Sequence, residues 1–195
     1  MARLYDPLFR LVFEPRHRLA IRLLAPRPGD RVLDVGVGTG ISLSHYPKST
    51  YVVGVDLSEA MLGVAARKVR RRGIGHVSLC RMDACRLAFP AGAFDLVLSA
   101  FVASVVSDRA GFFHQLKRVC RPGGTICVIN HVHFHAQPLA WLEEHVQPLT
   151  RRLGWHADLS LEEIVESLRP GEVTVDALWP IEPWPIVICR RSAPP

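Results

Sequence analysis

Arg31-Val-Leu-Asp-Val-Gly-Val-Gly-Thr-Gly40 is the stretch on which the reading of the fold turns. Val32, Leu33 and Val35 are apolar and β-prone around a single acid, the pattern of a strand buried on both faces of a parallel sheet. Gly36, Gly38 and Gly40 then end the strand in a tight turn whose bare backbone admits a ligand. A dinucleotide-binding turn has the spacing G-x-G-x-x-G, with the third glycine packing a helix on the strand. Here that third position is Ile41, which disfavours an oxidoreductase.

Outward from this turn the chain reads as alternating strands and helices. Tyr51 to Asp56 is a second buried strand, and Asp56 stands where a carboxylate takes both hydroxyls of a ribose or caps a helix beginning near Ser58. Ser58 to Arg72 is expected as that helix, with Ala60, Met61, Val64 and Ala65 inward and a basic end that complements the helix dipole. Val77 to Arg81 is a third strand, followed by Met82-Asp83-Ala84, and Phe94 to Phe101 is a fourth. Asp108 to Val119 reads as a helix, Arg121-Pro-Gly-Gly124 as a turn and Thr125 to Asn130 as a fifth strand. Val173 to Trp179 and Ile186 to Arg190 read as a closing antiparallel pair.

The D-x-G-x-G-x-G pattern from Asp34 to Gly40 closely resembles that of class I S-adenosylmethionine-dependent methyltransferases. The resemblance implies an α/β, Rossmann-like fold: a seven-stranded, mostly parallel sheet with helices on both faces and an antiparallel last strand. It also implies S-adenosylmethionine as cofactor and S-adenosylhomocysteine as product. On this reading Asp34 suits the ammonium of the ligand, and Gly36, Gly38, Thr39 and Gly40 admit its methionyl and ribose portions. Asp56 holds the ribose, Asp83 reads the adenine amino group, and Leu57, Met61 and Ala84 complete the expected contacts.

The 195 residues fit one domain with a sizeable core. The longest apolar run, Leu96 to Val106, falls short of the roughly 20 residues that a membrane-spanning helix needs. Arg3, Asp6, Pro7 and Arg10 stand where a signal peptide would have its apolar core, so a cytoplasmic protein is expected. The five cysteines are odd in number and form no C-x-x-C pair, which fits free thiols. The net charge of +6 comes from 21 arginines and three lysines, and favours an anionic partner.

Four regions are expected within the single domain. Residues 1–27 carry six arginines against two acids and two apolar helical segments, the first begun by Asp6-Pro7 and ended by Pro15, the second running from Arg16 to Ala25. Such helices suit a membrane interface with anionic head groups, or pack on the core and close over the cofactor. Residues 28–130 form the cofactor-binding core, 131–170 a substrate-binding insertion and 171–195 the closing hairpin. His131, His133 and His135 alternate, but methyl transfer from a sulfonium requires no metal and no fourth ligand is evident, so none is expected.

Tyr5-Asp6, Asn130-His131 and Leu153-Gly154-Trp155, together with the glycine loop, narrow the resemblance to the soluble bacterial phosphatidylethanolamine N-methyltransferases. The resemblance implies methylation of the ethanolamine amine, up to three times, giving phosphatidylcholine. It also implies a membrane phospholipid substrate, an anionic lipid surface met by residues 1–27, no nucleic acid, a monomer, and peripheral attachment to the inner face of the cell membrane. His131 and Tyr5 are candidates for the base, as against a hydrogen-bonded structural histidine and a lid residue. Tyr5 and Trp155 offer aromatic faces to a methylated cation, though Trp155 equally suits a core position. Arg151 and Arg152 are candidates for the lipid phosphate, or solvated helix-end charges. Alternatives are a methyltransferase of the same fold acting on a quinone or small amine, and a non-catalytic cofactor- or membrane-binding protein.

Overall fold

The computed structural model describes residues 2–130, 159–176 and 184–192, with the side chains of 2–12 and of 176 left aside. Its elements in chain order are α1 (Ala2–Leu24), β1 (Arg31–Val35), β2 (Tyr51–Asp56), α2 (Glu59–Arg72), β3 (Val77–Arg81), β4 (Phe94–Ala100), α3 (Arg109–Val119), β5 (Cys120–Ile129), α4 (Leu161–Leu168), β6 (Gly171–Asp176) and β7 (Ile186–Arg191). The strands form one seven-stranded sheet in the order β3-β2-β1-β4-β5-β7-β6. β7 runs antiparallel to both its neighbours and the other strands are parallel, as expected from the sequence.

Because side chains alternate along a strand, the sheet has two cores. Leu33, Val35, Val97, Ile126, Val128 and Val187 point to one face, where Phe112, Phe113 and Leu116 of α3 and Ile164 and Leu168 of α4 cover them. Val32, Val52, Leu96, Leu98, Cys127 and Ile129 point to the other, under Ala20, Ile21 and Leu24 of α1 and Ala65 of α2. Asp34 shares this second face with Val32, so a carboxylate sits where the alternation asks for an apolar side chain.

The structure departs from the sequence reading at four places. α1 is one continuous helix that begins before Asp6 and runs through Pro7 and Pro15. Pro15 is exposed, and its missing N–H costs one backbone hydrogen bond. Against that stand Phe13, Ala20, Ile21 and Leu24, whose burial continues on one face across the proline. On α2 the inward face is Leu62, Ala65 and Val69, while Ala60 and Met61 are exposed and Val64 is half-buried. Contact of Ala65 with Gly40 fixes the rotation of that helix, since a Cβ on Gly40 would meet Leu43 at 2.8 Å and Ala65 at 3.1 Å. β5 starts at Cys120 rather than Thr125, because Cys120 already pairs with Phe94. Finally, Leu159, Ile164 and Leu168 are fully buried on α3, so the last part of the expected 131–170 insertion is core.

α1 runs against the direction of β1. Leu24 lies beside Leu96, near the start of β4, and Phe13 packs on Phe101, just past the end of β4, with ring centroids 4.6 Å apart. At 1.5 Å per residue the helix carries its first eleven residues about 16 Å further in that direction.

Candidate active site

In a doubly wound sheet, ligands enter beyond the carboxyl ends of the strands where the order reverses. Here that point lies between β1 and β4, and a cleft of about 490 Å³ opens there. Gly36, Asp56, Leu57, Asp83 and Ala84 line it from the side of β1 to β3. Phe101, Val102, Val105 and Asp108 close it from the loop after β4.

The start of the glycine turn is held by backbone hydrogen bonds. The N–H groups of Gly36 and Val37 both donate to Val55 O, at 2.8 and 3.0 Å. Gly36 has φ +72°, and a Cβ there would overlap Val102 Cγ2. The turn is therefore packed against the loop after β4, and glycine is needed for conformation and space together.

Asp56 links the turn to the next strand. Its Oδ2 accepts from the Gly38 N–H and its Oδ1 from the Ser58 N–H, both at 2.8 Å. Ser58, not Asp56, caps α2, its hydroxyl accepting from the Met61 N–H at 3.3 Å. Charge-assisted bonds of this type are worth about 1.5–3 kcal/mol each. Asp56→Ala is accordingly expected to weaken S-adenosylhomocysteine binding by roughly 30-fold or more in calorimetry. Unchanged affinity would show that the turn holds, and the ligand binds, without this carboxylate.

Asp34 does not line the cleft. It lies beneath the turn, 2 % exposed, and its Oδ2 accepts from Ser42 Oγ at 2.5 Å and from the Tyr46 hydroxyl at 3.0 Å. Burial pushes its carboxyl up to about 6, opposed by the two hydroxyl donors and reinforced by the Asp56 charge. The Tyr46 phenol is driven upward by burial and by the Asp34 carboxylate.

Of the remaining residues expected at the cofactor, Gly38, Thr39, Gly40 and Met61 stand outside the lining of the cleft. Gly38 donates to Asp56, the Thr39 hydroxyl accepts from Lys68 Nζ at 3.3 Å, and Gly40 packs on α2. Asp83 Oδ1 accepts from the Cys85 N–H at 2.8 Å, which fixes the turn after β3 at the edge of the cleft. Tyr5 lies near the start of α1 with its side chain outside the described set, and His131, His133, His135, Arg151, Arg152 and Trp155 lie outside the described residues altogether.

Sequence reasoning missed Ser42, Tyr46, Val102 and Phe101. Phe101 is held at φ +62°, a conformation that a bulky residue adopts only when its surroundings enforce it. Its N–H donates to Ile129 O at 2.7 Å while Phe13 and Trp184 pack around its ring. The switch-point rule, applied to the end of β4, is the signal that could have found Phe101 and Val102. Nothing periodic marks Ser42 or Tyr46.

The cleft suits an S-adenosyl group. Leu57 and Val105 are large apolar side chains left 63 % and 48 % exposed on its walls, where an adenine ring would cover them. Asp56 and Asp83 line the cleft beside them, where carboxylates can accept from the hydroxyls or amine of such a ligand.

Comparison with known proteins agrees with this geometry. A family profile described as "Methyltransferase domain" matches residues 33–128. Phosphatidylethanolamine N-methyltransferase of Cereibacter sphaeroides is 40% identical over 168 residues, covering 85% of this chain and 82% of that protein. The ubiquinone/menaquinone biosynthesis C-methyltransferase of Vibrio parahaemolyticus is 29% identical over 193 residues, covering 91% of this chain and 74% of that one. Among solved structures, phosphoethanolamine N-methyltransferase 2 of Haemonchus contortus, in complex with S-adenosyl-L-methionine, superposes with a TM-score of 0.74. It is 22% identical, and the match covers 91% of this chain and 52% of that one, which shows the fold. With its strand order, its glycine turn and this likeness along most of its length, the chain belongs to the class I S-adenosylmethionine-dependent methyltransferases.

Proposed function

We propose that the chain is a phospholipid N-methyltransferase that methylates the amine of phosphatidylethanolamine and of its mono- and dimethyl derivatives. The observation that carries the reading is the 40% identity to a phosphatidylethanolamine N-methyltransferase over 85% of the chain, well beyond residues 33–128 that the methyltransferase profile matches. The course of α1 supports it. The helix starts on the cleft side of the sheet, where a basic, apolar segment can bring the opening to a head group. None of the described helices is long and apolar enough to cross a membrane. The protein is proposed to work as a monomer, peripherally, from the cytoplasmic side, with no nucleic acid partner.

When bound, the cofactor supplies an electrophilic methyl group and leaves as S-adenosylhomocysteine. The chain has to hold it, orient the amine and remove a proton. Asp56, Leu57, Asp83 and Ala84 are the residues proposed to hold it. His131 or Tyr5 is proposed to take the proton of the ethanolammonium so that its lone pair is free, with most of the rate supplied by positioning. Arg151 and Arg152 are proposed for the phosphate, and Trp155 and Tyr5 for the increasingly methylated cation.

Label transfer from S-adenosylmethionine to liposomes tests the reading. Mono-, di- and trimethylated lipids are expected, with transfer rising when anionic lipid is included. The 29% identity to a quinone methyltransferase over 91% of the chain favours a second acceptor. Transfer to a quinone precursor, with none to the ethanolamine lipids, would establish that one instead. Cofactor binding without transfer to either would leave a methyltransferase of another acceptor, such as a small amine, or a non-catalytic protein.

A further inference from the structure

Ser42 and Tyr46 belong to no recognised motif, yet they donate the two hydrogen bonds that the structure gives to the Asp34 side chain, and both fall on Oδ2. Tyr46 is 3 % exposed and Ser42 2 %, so neither hydroxyl is placed there for water. Each buried hydroxyl carries a desolvation cost that only a partner offsets. Asp34 alone on this face would be a charge under the glycine turn with nothing to keep it ionised. Among the described residues, the groups whose hydrogen bonds or charges act on it are Ser42, Tyr46, the Asp56 carboxylate and the Cys127 thiol.

We propose that Tyr46 is a positioning residue for the cofactor: with Ser42 it holds Asp34 as a carboxylate beneath the glycine turn, where its charge meets the ammonium of the aminoacyl end. The inference rests on the reading of Asp34 as the acid that serves this ammonium. Asp34 acts through its field and Tyr46 acts through Asp34. Neither needs to touch the adenosyl end, for which the cleft wall offers Leu57, Asp83 and Val105. Asp34 is shielded from solvent beneath the turn, where salt screens a charge much less than at the surface.

Tyr46→Phe keeps the ring and removes the donor. Losing one of two donors lets Asp34 hold its proton to a pH about one unit higher, which is the size of one charge-assisted bond. Affinity for S-adenosylhomocysteine should then fall roughly fivefold at pH 6, with the loss shrinking toward pH 8. Affinity for 5′-methylthioadenosine, which has no aminoacyl end, should stay within about twofold of the wild type at both pH values. Titration calorimetry reads all of these on the ligand-free protein.

An equal loss for both ligands would mean that Tyr46 only supports the fold, and a loss independent of pH would mean that it does not act through Asp34. Either overturns the proposal. Asp34→Asn separates it from its premise. If that variant keeps its affinity for S-adenosylhomocysteine, the reading of Asp34 fails. If Asp34→Asn loses affinity and Tyr46→Phe matches the wild type, the role of Tyr46 alone fails. Ser42→Ala removes the other donor and reads the same pH shift should Tyr46→Phe unfold.

Discussion

Gly36→Ala should lose both cofactor binding and a large part of the protein's stability, while alanine at Gly38 or Gly73 should do much less. All three glycines have positive φ, at +72°, +54° and +61°, so each alanine incurs the left-handed penalty of about 1–2 kcal/mol. Only at Gly36 is there a steric cost in addition. A new Cβ there overlaps Val102 Cγ2, whereas at Gly38 its nearest neighbour is Gly36 O at 3.9 Å and at Gly73 there is none within 4 Å. Relief at Gly36 means moving either the turn, which is tied to Val55 O by two N–H groups, or the loop after β4, which forms the far wall of the cleft. Overpacking of this kind adds roughly 1–3 kcal/mol to the backbone penalty. Thermal melting should rank Gly36→Ala well below the other two, and calorimetry should find its affinity for S-adenosylhomocysteine reduced by roughly 100-fold or more. Equal, mild effects at Gly36 and Gly73 would show that the two loops are not packed together as described.

The comparison explains why the glycine turn was legible in the sequence and its partner was not. The conformation of Gly36 and the charge of Asp56 are properties of a few consecutive residues, and the strands around them read as apolar runs because parallel strands are buried on both faces. Val102 meets the turn from the loop after another strand, and no local pattern encodes that distance. Ser42 and Tyr46 are closer, eight and twelve residues after Asp34, but they lie in a segment with one 3-10 turn and no periodicity to show which side is inward. α1 failed for the opposite reason. By local preference alone its two prolines mark a helix start and a helix stop. The apolar face formed by Phe13, Ala20, Ile21 and Leu24 crosses Pro15 and outweighs the one lost bond. On α2 the helix was found and its rotation was not, since the inward face follows from the seat of Ala65 on Gly40 rather than from the order of apolar residues.

Asp34→Asn should make the ligand-free protein more stable at neutral pH and make it a poorer binder. In the folded chain burial raises the Asp34 carboxyl from 3.8 to about 6. A raised value means that the folded state binds the proton more tightly than the unfolded one. The stability this provides is complete below pH 3.8, and it is lost as the pH rises through about 6. A shift of this size corresponds to about 3 kcal/mol of destabilisation at pH 7.5 relative to a group that stays neutral. Asparagine is such a group, of the same shape, and its carbonyl oxygen can accept from Ser42 and Tyr46. The variant should therefore melt roughly 5–10 °C above the wild type at pH 7.5, with the gap closing toward pH 4.5. Other titrating groups are common to both proteins, so the difference between the two melting curves isolates this one. Its affinity for S-adenosylhomocysteine should meanwhile fall, because the charge that destabilises the empty fold is the charge proposed above to meet the ammonium. A gap in melting temperature that does not change with pH would mean that Asp34 is not titrating in this range. A gain in stability with no loss of affinity would mean that the buried carboxylate serves something other than the ligand.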